Sequence, residues 1–192
     1  MRADGFVVDG VFDAGNGRGR RSTYLDVPAT AGHVTGISLG VQTTCVLATD
    51  QRGREVEYVI VSTPDEDEVG RVAAWLVAQP AASTTGPLRQ IVTAVPGRGP
   101  ERTEIHGPAD SRQIFTGCGL RRALEDLVDA PVLLDSAAIA SLLAILTEDA
   151  AIGNAVLFIV STALNFASCT DHEIAQGRTP AFGDLGVLRS GV

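Results

Sequence analysis

The stretch Pro131–Leu146, PVLLDSAAIASLLAIL, decides how the chain is read. Its first part, APVLLD, is a short apolar run rich in branched side chains, which predicts a buried strand. Its second part, SAAIASLLAIL, is apolar on nearly every side at helical spacing, which predicts a buried helix. Asp135 stands between the two. It is either a carboxylate presented at a strand end for proton transfer, or, with Ser136, the cap that starts the helix.

Working outward, the same alternation continues upstream. LRRALEDLV reads as an amphipathic helix, and LRQIVTAVPG as a buried strand closed by a Pro-Gly turn. DEDEVGRVAAWLVAQP predicts a helix with apolar Val69, Val72, Ala73, Leu76 and Val77 on one face. Its acids are expected in the first turn, where the helix dipole favours them, and Pro80 is the stop. Before it, HVTGISLG, TTCVLATD and EVEYVIVST read as three strands of an antiparallel meander, with Asp50–Gly53 as a tight turn. The order β-β-β-α-β-α-β-α, then β-β, implies a mixed sheet with helices on its faces.

The N-terminal residues differ. Phe6 to Val11 and Ser22 to Val27 are expected to pair as a hairpin around the basic tip DAGNGRGR, and PATAGH follows as a linker. Downstream, Ala150–Cys169 has the length of a membrane span. Its centre, AVLFIVST, is β-branched and contains Phe, so a buried strand is expected instead, with LNFASCTDHEIAQG completing a hairpin.

Bulk properties narrow the function. The 192 residues are 45% hydrophobic and 20% charged, which suits one packed domain or slightly more. A net charge of −8 excludes general attraction to nucleic acid. Two Tyr and one Trp exclude a stacking platform for single strands. Cys45, Cys118 and Cys169 are dispersed and odd in number, so reduced thiols are expected, with no metal site and no disulfide. No apolar signal core precedes the first strand, and a cytoplasmic location is expected.

The succession GISLG…DQRG, TAVPG, APVLLDSAAIASLLA, VLFIVSTALNF and GRTPAFGDLGVL resembles the ROK family of repressors and sugar kinases. The resemblance runs from Gly36 to the C-terminus. It implies an α/β, actin-like ATPase (ribonuclease H-like) first lobe with a mixed sheet, an incomplete second lobe, and an N-terminal β-hairpin remnant of a winged helix. The implied divisions are 1–35 for the wing remnant and linker, 36–150 for the first lobe, and 151–192 for the start of the second.

Set on the family's motifs, several positions depart. The family's first strand carries an Asp near the nucleotide phosphates; here Ser38 takes its place, before Gly40 and Val41. The motif that resembles P-V-x-V-E-N-D-A places Asp135 at the Glu, Ser136 at the Asn, and Ala137 at the catalytic Asp. Alanine accepts no proton, so no catalytic residue is expected. Asp135 and Ser136 are then expected chiefly as helix-capping residues. The second phosphate loop corresponds to STALNFA, where only Thr162 keeps its identity and the glycines are absent. In GRTPAFGDLGVL, Gly183 and Gly186 fit, Asp184 stands for Glu, and Val187 replaces a His that in the family binds sugar and, in many members, zinc.

The resemblance therefore implies a shortened, degenerate protein of the transcriptional-regulator branch, sugar-sensing or vestigial, without kinase activity and without a cofactor. Sugar contacts would fall to Gly97, Asp135, Ser136, Gly183 and Asp184, with Ser38, Gly40 and Thr162 as phosphate-loop remnants. Arg18, Arg20 and Arg21 at the hairpin tip resemble a DNA-contacting wing, giving weak DNA contact at most. Two other readings stay open. One is a hexose kinase using ATP and magnesium. The other is an oligomerisation module, a homo-oligomer or a partner of a full-length paralogue. No membrane partner is expected.

Overall fold

The structure is a computed structural model that describes residues 7–10, 25–79, 86–96, 98–101, 104–106, 119–160 and 164–175. Its centre is a five-stranded mixed sheet. β3 (His33–Leu39), β4 (Thr43–Asp50) and β5 (Glu55–Ser62) form the antiparallel meander. β6 (Leu88–Val95) and β9 (Val132–Ser136) add parallel to β3, giving the order β5-β4-β3-β6-β9. Alternation sets the two faces. In β3 and β4, Ile37, Leu39, Val46 and Ala48 point into the core, while their neighbours along each strand face away.

Two helices cover the core face. α1 (Val69–Val77) brings Val72, Ala73 and Leu76, and α2 (Gly119–Glu125) brings Leu120 and Leu124. These pack on Ile37, Leu39, Val46, Ile91, Val95, Val132 and Leu134 as one cluster. A second cluster lies beyond β9. α3 (Ala137–Glu148) sets Ala138 and Leu142 against a three-stranded antiparallel sheet of β10 (Ala155–Val160), β11 (Leu164–Thr170) and β12 (Glu173–Ile174). Residues 155–160 and 164–169 of the 150–169 stretch thus lie in strands, and no described helix is long and apolar enough to cross a membrane. Asp171 and His172, both at positive φ, make the two-residue turn between β11 and β12.

Smaller ribbons complete the fold. β1 (Val8–Asp9) pairs antiparallel with β2 (Leu25–Asp26), the described part of the expected N-terminal hairpin. β7 (Arg98–Glu101) pairs with β8 (Glu104–His106), a hairpin the sequence pattern did not announce.

Three expectations change. The acids Asp65–Glu68 precede α1 instead of filling its first turn. The Glu68 N–H donates to Glu66 Oε1 at 2.9 Å, and that bond, reinforced by Arg71, holds the Glu66 carboxyl below its ordinary value. α3 is not buried all round: Leu143 and Ile145 are 39% and 40% exposed, because only one side of the helix meets the second sheet. The segment 28–32 is not a free linker. Ala31 is buried, and Arg89 donates from Nε and Nη2 to Ala31 O at 2.8 and 2.7 Å.

The β4–β5 turn shows how one carboxylate organises a junction. Asp50 Oδ1 accepts from the N–H groups of Arg52 and Arg54 at 2.8 and 3.0 Å, while Gly53 adopts φ 75°. Arg52 in turn ion-pairs with Asp26 and donates to Val27 O at 2.7 Å, tying the hairpin to the sheet. The Arg54 N–H above all, and then the Arg52 N–H, hold the Asp50 carboxyl below its ordinary 3.8, against the opposing effect of burial. A lowered folded-state pKa stabilises above the unfolded value and is lost as pH falls through the lowered one. The melting-temperature gap between the native chain and Asp50→Asn is therefore expected to be full above about pH 4 and to close below it. A gap that widened on acidification would contradict this.

Candidate functional site

The site is built where three parallel strands end. Register aligns Ser38 of β3 with Ala94 of β6, and Ala94 with Asp135 of β9. One step on, Val95 aligns with Ser136. Residues paired in register point to the same face, so Ser38, Ala94 and Asp135 form a row across the strand ends. Helix α3 starts immediately after β9, with its N-terminus at this row. Ligands of open α/β sheets gather at such carboxyl ends.

The helix start resolves the role of the acid. Ser136 has extended backbone, φ −69° and ψ 140°, and its Oγ accepts from Ala138 N at 3.2 Å. It is the N-cap. Asp135 Oδ1 accepts from Ser136 N at 2.8 Å. Both residues are 9% exposed. The acid is thus engaged with backbone at the helix start, and Ala137 is the first helical residue.

The β3–β4 turn is closed by threonines. Gly40 N donates to Thr43 O at 3.1 Å, and a Cβ on Gly40 would lie 2.5 Å from that oxygen. Thr63 Oγ1 donates to Gly40 O at 2.8 Å and sits 2.8 Å from Thr44 Oγ1. The close approach across this hairpin explains the glycine without any phosphate. Ser38 and Val41 beside it are exposed. The Thr44–Thr63 pair was not singled out from sequence: Thr44 lies near the start of β4 and Thr63 just past the end of β5, and nothing local joins them.

Gly97, Thr162, Gly183, Asp184, Arg18, Arg20 and Arg21 lie outside the described residues. His33 is buried and its Nδ1 lies 3.1 Å from Gly86 O, a singly bonded imidazole. Among the described residues no group of three His, Cys, Asp or Glu could hold a metal ion.

Solved structures share this arrangement. A ROK family glucokinase from Streptomyces griseus, solved with glucose and AMPPNP, matches at a TM-score of 0.69 and 19% identity, over 83% of this chain and 51% of that one. The chain has the ROK fold. A ROK family transcriptional regulator, a homologue of the E. coli MLC protein, matches at a TM-score of 0.70 and 16% identity, over 96% of this chain and 48% of that one. A ROK hexokinase from Thermus thermophilus reaches 27% identity at a TM-score of 0.61, over 80% and 51%. The chain spans about half the length of the structures it matches. No family model and no curated protein matches it. The mixed sheet with its actin-like order is therefore common to the kinases and the regulator, and separates neither from the other.

Proposed function

We propose that this chain is a carbohydrate-binding ROK protein of the regulator type that does not transfer phosphoryl groups. The observation that carries the reading is Ala137 at the head of α3. Removing a proton from a sugar hydroxyl needs a carboxylate within hydrogen-bond reach, and alanine at the position that resembles the family's catalytic Asp supplies none. Ser38 in the same row is neutral and does not supply charge to position a metal–nucleotide complex. The regulator neighbour extends over more of this chain than the glucokinase does, 96% against 83%, which supports the regulator branch. On this reading, residues 1–35 are a wing and linker, 36–150 the first lobe and 151–192 the start of the second. Sugar would meet Asp135 and Ser136, with Gly97, Gly183 and Asp184 supplying further contacts. Arg18, Arg20 and Arg21 would touch DNA phosphates or the minor groove.

The test combines two measurements on the purified chain. Glucose, mannose and N-acetylated amino sugars are titrated calorimetrically, and ADP release is followed with ATP and magnesium. Heat of binding for one of these sugars, abolished by Asp135→Ala, with no sugar-dependent ADP, is the expected result. Sugar-dependent ADP release would overturn the proposal in favour of a hexose kinase. Absence of binding to every sugar would remove the carbohydrate part.

A further inference from the structure

We infer that Arg52 is a releasable latch: when it opens, the N-terminal hairpin swings away from the sheet while the segment that follows stays seated. This depends on neither the sugar reading nor the DNA reading, only on contacts between described residues.

Burial divides residues 25–33 into two parts. No residue from 25 to 30 is buried, and Val8 and Leu25, the apolar residues of β1 and β2, are 42% and 59% exposed. Ala31, Gly32 and His33 are all buried. Removal of apolar surface from water therefore anchors the chain from Ala31 onward, and contributes little to the described part of the hairpin.

The two parts are also fastened differently. The later part is held from β6 and the residues before it. Arg89 donates from Nε and Nη2 to Ala31 O, His33 N donates to Pro87 O at 3.0 Å, and His33 Nδ1 lies 3.1 Å from Gly86 O. Opening this seat would leave buried polar groups without partners, which is costly. The hairpin is held from the β4–β5 turn by one side chain. The Arg52 guanidinium spans the end of β2, pairing with Asp26 and donating from Nε to Val27 O at 2.7 Å. The Arg52 and Asp26 side chains are 30% and 49% exposed, so both return to water at little cost when the pair opens. The turn that carries Arg52 does not have to move with it. Asp50, 5% exposed, fixes the N–H groups of Arg52 and Arg54 through Oδ1.

Fastenings this unequal do not open together. The exposed latch goes first, and the swing falls at Val27 and Pro28, between the two holds. Ala29–Ala31 keeps its single 3-10 turn, closed by Ala31 N on Pro28 O at 2.9 Å.

Amide-resolved hydrogen exchange of the full chain tests this. Arg52→Ala is expected to speed exchange at residues 8–9 and 25–27 about tenfold, and to leave residues 31–33, β4 and β5 within about twofold of the native chain. Raising salt from about 0.1 M to about 1 M shortens the screening length from about 10 Å to about 3 Å. It is expected to speed exchange in the native hairpin and to do nothing further in Arg52→Ala. Arg52→Lys, a point charge without the planar fork, is expected to fall between the two. Arg89→Ala is the converse variant and is expected to speed exchange at residues 31–33. Unchanged exchange at 25–27 in Arg52→Ala, an equal rise at 31–33 in that variant, or a salt response as large there as in the native chain would each overturn the inference.

Discussion

Replacing Leu76 by alanine is expected to cost about 2–5 kcal/mol, a large share of the roughly 5–15 kcal/mol that holds a domain of this size. Leu76 is fully buried on α1. It sits in the cluster that joins α1 and α2 to the β3, β4, β6 and β9 side chains beneath them. Truncation removes the apolar contact and leaves a cavity whose walls are held by a regular sheet on one side, so the site does not collapse to fill it. The same change at Leu143 supplies the contrast. Leu143 is 39% exposed on α3, and its loss is expected to cost less than about 1 kcal/mol. Urea unfolding of both variants checks this, with the midpoint moving and the slope constant. Equal losses at the two positions would mean that the α1–α2 layer is not the stabilising core.

The elements recovered from sequence were those whose signal is local. β3 and β4 alternate along their length and β5 from Glu57 onward, and Asp50 and Gly53 mark the β4–β5 turn, so the meander was legible. The helix cap at Ser136 was legible too, because a hydroxyl before a small-residue helix has few other uses. What failed was what depends on distant partners. α3 is apolar all round, so periodicity does not reveal which side meets a neighbour; the sheet of β10–β12 decides it. The acids before α1 suit a first turn equally well, but Glu66 accepts from the Glu68 N–H and the helix starts after it. The Thr44–Thr63 clasp spans 19 residues and has no local signature. At the strand ends, residue type alone singled out Ser38 and Asp135, while their alignment through Ala94 required the parallel register.

The segment read as a linker leads to the second large effect, at Gly86. Its composition, Pro-Ala-Thr-Ala-Gly, says only that it lacks a helix or strand pattern. Its anchor, Arg89, lies 58 residues from Ala31, beyond any local reading. The junction is tight: His33 N donates to Pro87 O at 3.0 Å, and the His33 ring bonds Gly86 O. Gly86 has φ 76°, and a Cβ there would lie 2.1 Å from Thr30 O. Gly86→Val is therefore expected to cost about 1–3 kcal/mol in backbone strain and about as much again in steric overlap. Thr30 O is backbone and has no rotamer to move aside, so residues 29–32 must shift away from β6. That shift would loosen the Arg89 bonds to Ala31 O and, through the same segment, the hairpin held by Arg52. The expected result is a lowered unfolding midpoint together with faster amide exchange at residues 31–33, while β4 and β5 exchange as before. Gly86→Ala should show the same pattern at a smaller magnitude, since its Cβ meets the same oxygen without the added methyl groups. A Gly86→Val chain as stable as the native one would mean that the N-terminal segment is not seated on the sheet as this geometry places it.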